Sequence, residues 1–327
     1  MDCHYAIIDS KMKNITSSDL FAAGGISNRI VSIKYDSLWI HMLDGRGHDK
    51  SNITQPIQVF DRLSIPYELI DIEELFSQKK YDNSVLLISK DLLKNWGGLK
   101  PGLRQISLQS MFYIHTKNND NELIFRVYGD EEDYVVSKEA LYILKNIPTI
   151  PHETFYIIRL LDTNYALTKD RIILLLKESI DIFLSDSHGE YNGHKYLSGR
   201  KMYNEFLIIL KSFSERPQPL SKRDVFELHF LVGSLNAGSI GFYRYDFANS
   251  LEKVFNYSGI ITSNIVACLT RSSYAWREIG RILFKVRVNS PHMDNEMISH
   301  ISSLIKDIES LETRSMEALD VLLKNSN

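Results

Sequence analysis

Residues 111–128 read MFYIHTKNNDNELIFRVY, and the reading of this stretch decides the fold class. Met111 to Thr116 and Leu123 to Tyr128 are rich in aromatic and β-branched residues, which suit a pleated, half-buried surface. Between them, Lys117-Asn118-Asn119-Asp120-Asn121 is polar and made largely of residues that accept turn conformations. The pattern predicts an antiparallel hairpin, continued as a meander by a strand at Tyr134 to Ser137. Toward the N-terminus, the same reasoning predicts strands at Arg29 to Lys34, Ser37 to Met42 and Ser84 to Ser89. Helices are predicted over Cys3 to Met12, from about Leu20 to the Gly24-Gly25 stop, over Ile53 to Leu63 and over Asp71 to Gln78. The expected class is α+β with an antiparallel sheet.

Beyond Leu167 the texture changes, beginning with Ile172, Leu175, Leu176, Ile180 and Phe183 on one helical face. Further helices are predicted over Tyr196 to Ser214, Ser221 to Asn236, Phe242 to Tyr257, Thr262 to Leu269, Ser273 to Val286 and Asp294 to Leu323. The last carries a long apolar stripe that must be buried. The change places a domain boundary near residue 160. A domain at 1–160 is expected to hold the sheet, and one at 161–327 to be all-helical.

Composition narrows the function classes. The chain has 327 residues, 44% hydrophobic and 24% charged, with 38 Lys+Arg against 41 Asp+Glu. Neither half carries the basic excess of a dedicated nucleic-acid or anionic-membrane binder, so neither partner is expected. The longest apolar runs fall far short of the roughly 20 residues of a spanning helix. Met1-Asp2-Cys3-His4 does not open like a secretory signal, and two cysteines make no disulfide framework, so a cytoplasmic protein is expected.

Cys3 is the first candidate for chemistry, because a cysteine opening a helix sits at the positive end of the helix dipole, which favours thiolate. A nucleophilic cysteine needs a histidine base and a group that orients its ring. His115 lies in the predicted meander and Asp130 follows the neighbouring strand. Helix cysteine, strand histidine and following aspartate repeat the chain order of a papain-like core. The competing reading makes Cys3 an incidental terminal residue and His115 a hairpin residue facing water.

Asp2-Cys3-His4, Ser18-Asp19-Leu20-Phe21-Ala22-Ala23-Gly24-Gly25-Ile26 and Leu63-Ser64-Ile65-Pro66-Tyr67 together resemble the N-terminal domain of the butirosin biosynthesis protein H family. Downstream, Gly241 to Ala248 and Ser273 to Ile279 are similar to segments of that family's helical domain. The resemblance implies a papain-like acyltransferase that moves an acyl group from an acyl or peptidyl carrier protein, through Cys3, to an amine acceptor in secondary-metabolite (antibiotic) biosynthesis. His115 and Asp130 would complete the catalytic set. No cofactor is expected beyond the carrier's phosphopantetheine arm, and no metal.

The chain also departs from that family. Aligned on Met111 to Ile114, the family's histidine falls at Gln109 or Ser110, about five residues before His115. An odd offset along a strand reverses the face a side chain occupies. With only Met1 and Asp2 upstream of Cys3, an upstream glutamine for the oxyanion has no counterpart, which leaves the Cys3 backbone N–H with Gln105 or Gln109 as donors. A second hypothesis follows: a binding or scaffold protein that kept the fold without the chemistry. Hydrolysis of a thioester or peptide by the same residues is a third.

Other constellations are weaker. Asp186, His188, Glu190, Asn192 and His194 alternate in what reads as a solvated loop without zinc-protease or calcium-loop spacing. His41 and His48 flank a glycine turn, and Trp96-Gly97-Gly98 reads as a loop. Cys268, among apolar neighbours, is expected to be buried and inert. Tyr243, Arg244, Tyr245, Trp276 and Arg277 read either as a channel lining or, more simply, as core. Arg271, Arg277, Arg281, Lys285 and Arg287 form a basic stretch suited to an acidic carrier protein or, more simply, a solvated face. The terminal helix leaves a homodimer open.

Overall fold

The structure is a computed structural model that describes residues 11–35, 38–46, 56–77, 84–89, 109–127, 133–146, 155–191, 194–236, 240–255, 263–288 and 292–325. In chain order the elements are α1 (Ser17–Gly24), β1 (Ile26–Tyr35), β2 (Leu38–Arg46), α2 (Pro56–Leu63), β3 (Tyr67–Leu69), α3 (Ile72–Ser77), β4 (Ser84–Ser89), β5 (Gln109–Asn119), β6 (Glu122–Val127), β7 (Asp133–Ser137), α4 (Lys138–Asn146) and β8 (Phe155–Leu160). There follow α5 (Lys169–Leu184), β9 (Ser187–Tyr191), β10 (His194–Ser198), α6 (Lys201–Ser214), α7 (Lys222–Asn236), α8 (Ile240–Phe255), α9 (Ser263–Val288) and α10 (Asn295–Lys324).

The chain divides into two compact units, and the division is not contiguous. One unit comprises Met1–Ser17 and Ile53–Leu167, the other Ser18–Asn52 and Thr168–Asn327. The expected boundary near 160 falls close to one of these crossings. The segment 18–52, expected in the first domain, clusters instead with the second unit. The physical reason is β-pairing, since β1 runs antiparallel to both β2 and β10 and the sheet order is β2-β1-β10-β9. The second unit is therefore not all-helical, and the segment expected to be a solvated loop is the β9–β10 hairpin. Its polar alternation is a strand pattern whose partner lies far away in the sequence.

The first unit holds a six-stranded antiparallel sheet in the order β3-β8-β4-β5-β6-β7. The meander around 111–128 forms as its pattern predicts, with the turn at Asp120-Asn121. Leu86, Leu123, Phe125, Val136 and Ile157 pack with Ile72, Leu75 and Phe76 of α3 and Leu141 and Leu144 of α4. The sequence reading assigns neither α4 nor β8, and β8 fills the place between β3 and β4.

In the second unit an apolar cluster joins the sheet to the helices, running from Ile30 and Leu43 through Phe206, Leu228 and Trp276 to Ile301 and Ile308. Helix ends follow local chemistry. Thr168 caps α5 by accepting from the Arg171 N–H, and the Asp294 side chain accepts from Met297 N–H at 2.7 Å to start α10. Ser221 and Asp224 form the reciprocal pair of a capping box at α7. The two helices expected at 262–269 and 273–286 are one, α9, because Thr270-Arg271-Ser272 contains no breaker.

Candidate functional site

Of the three residues expected to carry catalysis, Cys3 and Asp130 lie outside the described residues. His115 belongs to β5, and its side chain lies outside them too. The β5 backbone is nonetheless informative. Ile114 pairs with Phe125 and Thr116 with Ile124, so His115 is the extra residue of a β-bulge. A bulge shifts the register by one residue and re-aims the side chains beside it. Gln109 opens β5 opposite Ser89. Gln105, His48 and Trp96-Gly97-Gly98 fall outside the described residues.

The remaining candidates take structural places. Asp186 accepts from the Lys201 N–H at 3.0 Å and pairs with its Nζ at 3.5 Å, which ties the β9 approach to the start of α6. Among the described residues no group of three His, Cys, Asp or Glu side chains is placed to hold a metal ion. Cys268 is half-buried rather than buried, with its Sγ 3.8 Å from Asn264 Oδ1. Arg244 and Trp276 are core residues, as the simpler reading has it.

Those two core residues belong to a buried polar network that the sequence reading missed. Glu312 of α10 is fully buried, and its Oε1 accepts from Arg244 Nε at 2.9 Å, from Trp276 Nε1 at 2.9 Å and from the Ser272 hydroxyl. Its Oε2 accepts from Arg244 Nη2 at 3.0 Å and from the Tyr203 hydroxyl at 2.7 Å. Burial alone pushes this carboxyl up, but the Arg244 charge, then hydrogen bonds from Arg244, Ser272 and Tyr203, hold it below the usual carboxylate range. A signal was present: Glu312 interrupts the apolar row Ile305, Ile308, Met316, Leu319, and a carboxylate at a core position demands a cation. The four partners come from α6, α8 and α9, so the network locks the helical packing. It occupies its own space, and its chemistry is structural.

A second polar cluster lies where β1, β2 and α7 meet. Ser32 and His41 are paired across β1 and β2, with Ser32 Oγ 2.8 Å from His41 Nδ1. Arg216 Nη1 donates to Asp224 at 2.6 Å and to Glu227 at 2.7 Å, and its guanidinium lies 4.2 Å over the Phe213 ring. Burial holds the His41 pKa below 6.5, with Glu227 raising it and Arg216 lowering it. Between about 6.5 and that lowered value the unfolded chain binds a proton that the folded chain does not. His41 therefore subtracts stability as the pH falls through the window. Urea midpoints measured from pH 7.5 down to 5.5 are expected to fall less in His41→Gln than in the wild type. Parallel curves would mean that His41 does not carry this pH dependence.

A third feature is exposed. Phe226, Phe242, Tyr245, Tyr274 and Phe284 stand on α7, α8 and α9, each at least 40% exposed. Arg277 lies 4.8 Å over the Phe242 ring and 5.9 Å over that of Tyr274, while Arg287 lies 4.8 Å over Phe284. Arg287 also reaches His229 Nδ1 at 2.9 Å. Arg271, Arg277, Arg281 and Lys285 of the basic stretch thus share one face of α9, interleaved with aromatic rings, while Arg287 lies off that face beside His229 of α7.

No family model matches the chain, and no curated protein matches it. Among the described residues no helix is long and apolar enough to cross a membrane.

Proposed function

We propose that the chain is a papain-like, cysteine-dependent acyltransferase of secondary-metabolite biosynthesis. Cys3 Sγ attacks the carbonyl carbon of a thioester on an acyl or peptidyl carrier protein, and the C–S bond to the phosphopantetheine arm breaks. The arm leaves as a thiol, taking the proton that His115 removed from Cys3. An amine acceptor then attacks the acyl-enzyme, returns a proton through His115 to Cys3, and leaves as the amide. Asp130 orients the imidazole. The single observation that supports the reading most is the bulge at His115. Counted from Ser110 the offset to His115 is five, an odd number that reverses the face of a regular strand, and a one-residue register shift at His115 is of the kind that compensates for it. The antiparallel sheet in which β5, β6 and β7 are successive neighbours supports it as well.

Intact-mass spectrometry after exposure to a panel of carrier-bound and small acyl thioesters tests this directly. The wild type is expected to gain the acyl mass, and Cys3→Ala to gain none. An unmodified wild type across the panel, with Cys3 alkylating like an ordinary thiol, would overturn the reading and leave a binding protein.

A further inference from the structure

We infer that the outer face of α9, with the flanking rings of α7 and α8, is a docking surface for an acidic amphipathic helix of a partner protein. Residues Ser263–Val288 carry five basic side chains and one acidic one, in a chain whose formal net charge is −3. The one acid, Glu278, is already paired with Arg281 at 2.7 Å. Among the described residues no carboxylate pairs with Arg271, Arg277, Lys285 or Arg287. Four cations on one helix without local counter-charges repel one another, and a partner that supplies carboxylates relieves that repulsion.

Geometry narrows the occupant further. Tyr274, Arg277, Arg281, Phe284 and Val288 follow one another at three- and four-residue spacing, a single stripe that is exposed but for the half-buried Arg277. From Tyr274 to Val288 it runs roughly 21 Å at 1.5 Å per residue, the length of a four-turn helix. Arg277 and Arg287 each lie 4.8 Å over an aromatic ring, and a guanidinium fork is suited to bind a carboxylate in a bidentate manner. The apolar members, Phe284 and Val288, ask for a partner that is apolar in part. A single nucleic-acid strand fits less well. It needs free ring faces on which to stack bases, and here guanidinium groups cover the Phe242 and Phe284 rings.

The inference does not depend on Cys3, and its test is separate from the thioester experiment. The probe is a fluorescein-labelled, stapled 18-residue helix with glutamates on one face and leucines beside them, titrated into the full chain and read by anisotropy. Saturable binding is expected, weakened at least tenfold in Arg277→Glu/Arg287→Glu and restored toward wild type when the probe carries lysine in place of glutamate. Both arginines are half-buried, Arg277 against Phe242 and Arg287 against His229, so the exposed pair Arg281→Glu/Lys285→Glu is the second variant: its circular dichroism melting is expected to match the wild type while its binding of the probe falls likewise. Equal binding by wild type and variant, or no binding at all, would overturn the inference. So would arginine-dependent binding of oligo-dT in preference to the peptide, which assigns the face to nucleic acid. Light scattering that shows a dimer dispersed by the two substitutions would assign it to self-association instead.

Discussion

Replacing Glu312 by alanine is expected to cost the second unit about 3–5 kcal/mol, because removing one partner of a buried ion pair leaves the other charge uncompensated. Arg244 would keep its guanidinium in the core without the carboxylate that balances its charge, and Trp276, Tyr203 and Ser272 would each lose an acceptor. Against a typical domain stability of roughly 5–15 kcal/mol, that is a large share. Guanidinium denaturation followed by circular dichroism measures it. The informative comparison is Arg244→Met with Glu312→Met. Removing both charges replaces the pair by packing, so the double variant is expected to be more stable than either single one. If Glu312→Ala costs less than about 1 kcal/mol, the network is not what holds α6, α8, α9 and α10 together. The acid limb gives a second readout. The folded-state pKa of Glu312 is depressed, so its contribution is complete above about 4.5 and is lost as pH falls through the lowered value.

The second large effect is expected at Gly199, which has φ +86°, in the left-handed region. A Cβ built there would lie 2.4 Å from the Ser185 carbonyl oxygen and 2.8 Å from its carbon. Backbone cannot swing aside as a side chain can. Gly199→Ala is expected to cost roughly 2–4 kcal/mol, from unfavourable backbone conformation and overpacking together. Because Ser185 leads into β9 and Gly199 leaves β10, the damage would open the end of that hairpin, visible as faster amide exchange across β9 and β10. Gly233 is the control: it lies within α7, a Cβ there meets nothing within 4 Å, and Gly233→Ala is expected to stabilise by about 0.4–1 kcal/mol. An equal loss at both positions would mean that the helix and turn environments are not distinguished as described.

Where local chemistry decides, the sequence was readable. The hairpin at 111–128, the α+β class and the capped start of α7 at Ser221 follow from turn residues, alternation and side-chain oxygens at a helix head. What escaped is non-local. Ser187 to Ser198 carries polar residues on alternate positions, and nothing within those twelve residues says that β1 is waiting to pair with them. Thr270-Arg271-Ser272 looked like a gap because it is polar, but Ser272 is buried under Glu312, and polarity alone does not end a helix. The Glu312 network was half visible, since an acid in an apolar row advertises a partner, but which of the chain's arginines supplies it is a tertiary fact. For the proposed site, the residue order Cys3, His115, Asp130 came from the sequence. The bulge came only from strand pairing.

The antiparallel pairing of β1 with β10 also sets an order of events during synthesis. β1 and β2 leave the ribosome early, but the strand that covers the other edge of β1 follows roughly 150 residues later. At about 5–20 residues per second, that edge stays open for roughly 7–30 s, long enough for the six-stranded sheet encoded in between to form first. An uncovered edge is where strands of different chains find each other. The nascent chain is therefore most vulnerable to misassembly before the β9–β10 hairpin arrives, and slowing translation between residues 46 and 194 prolongs that interval.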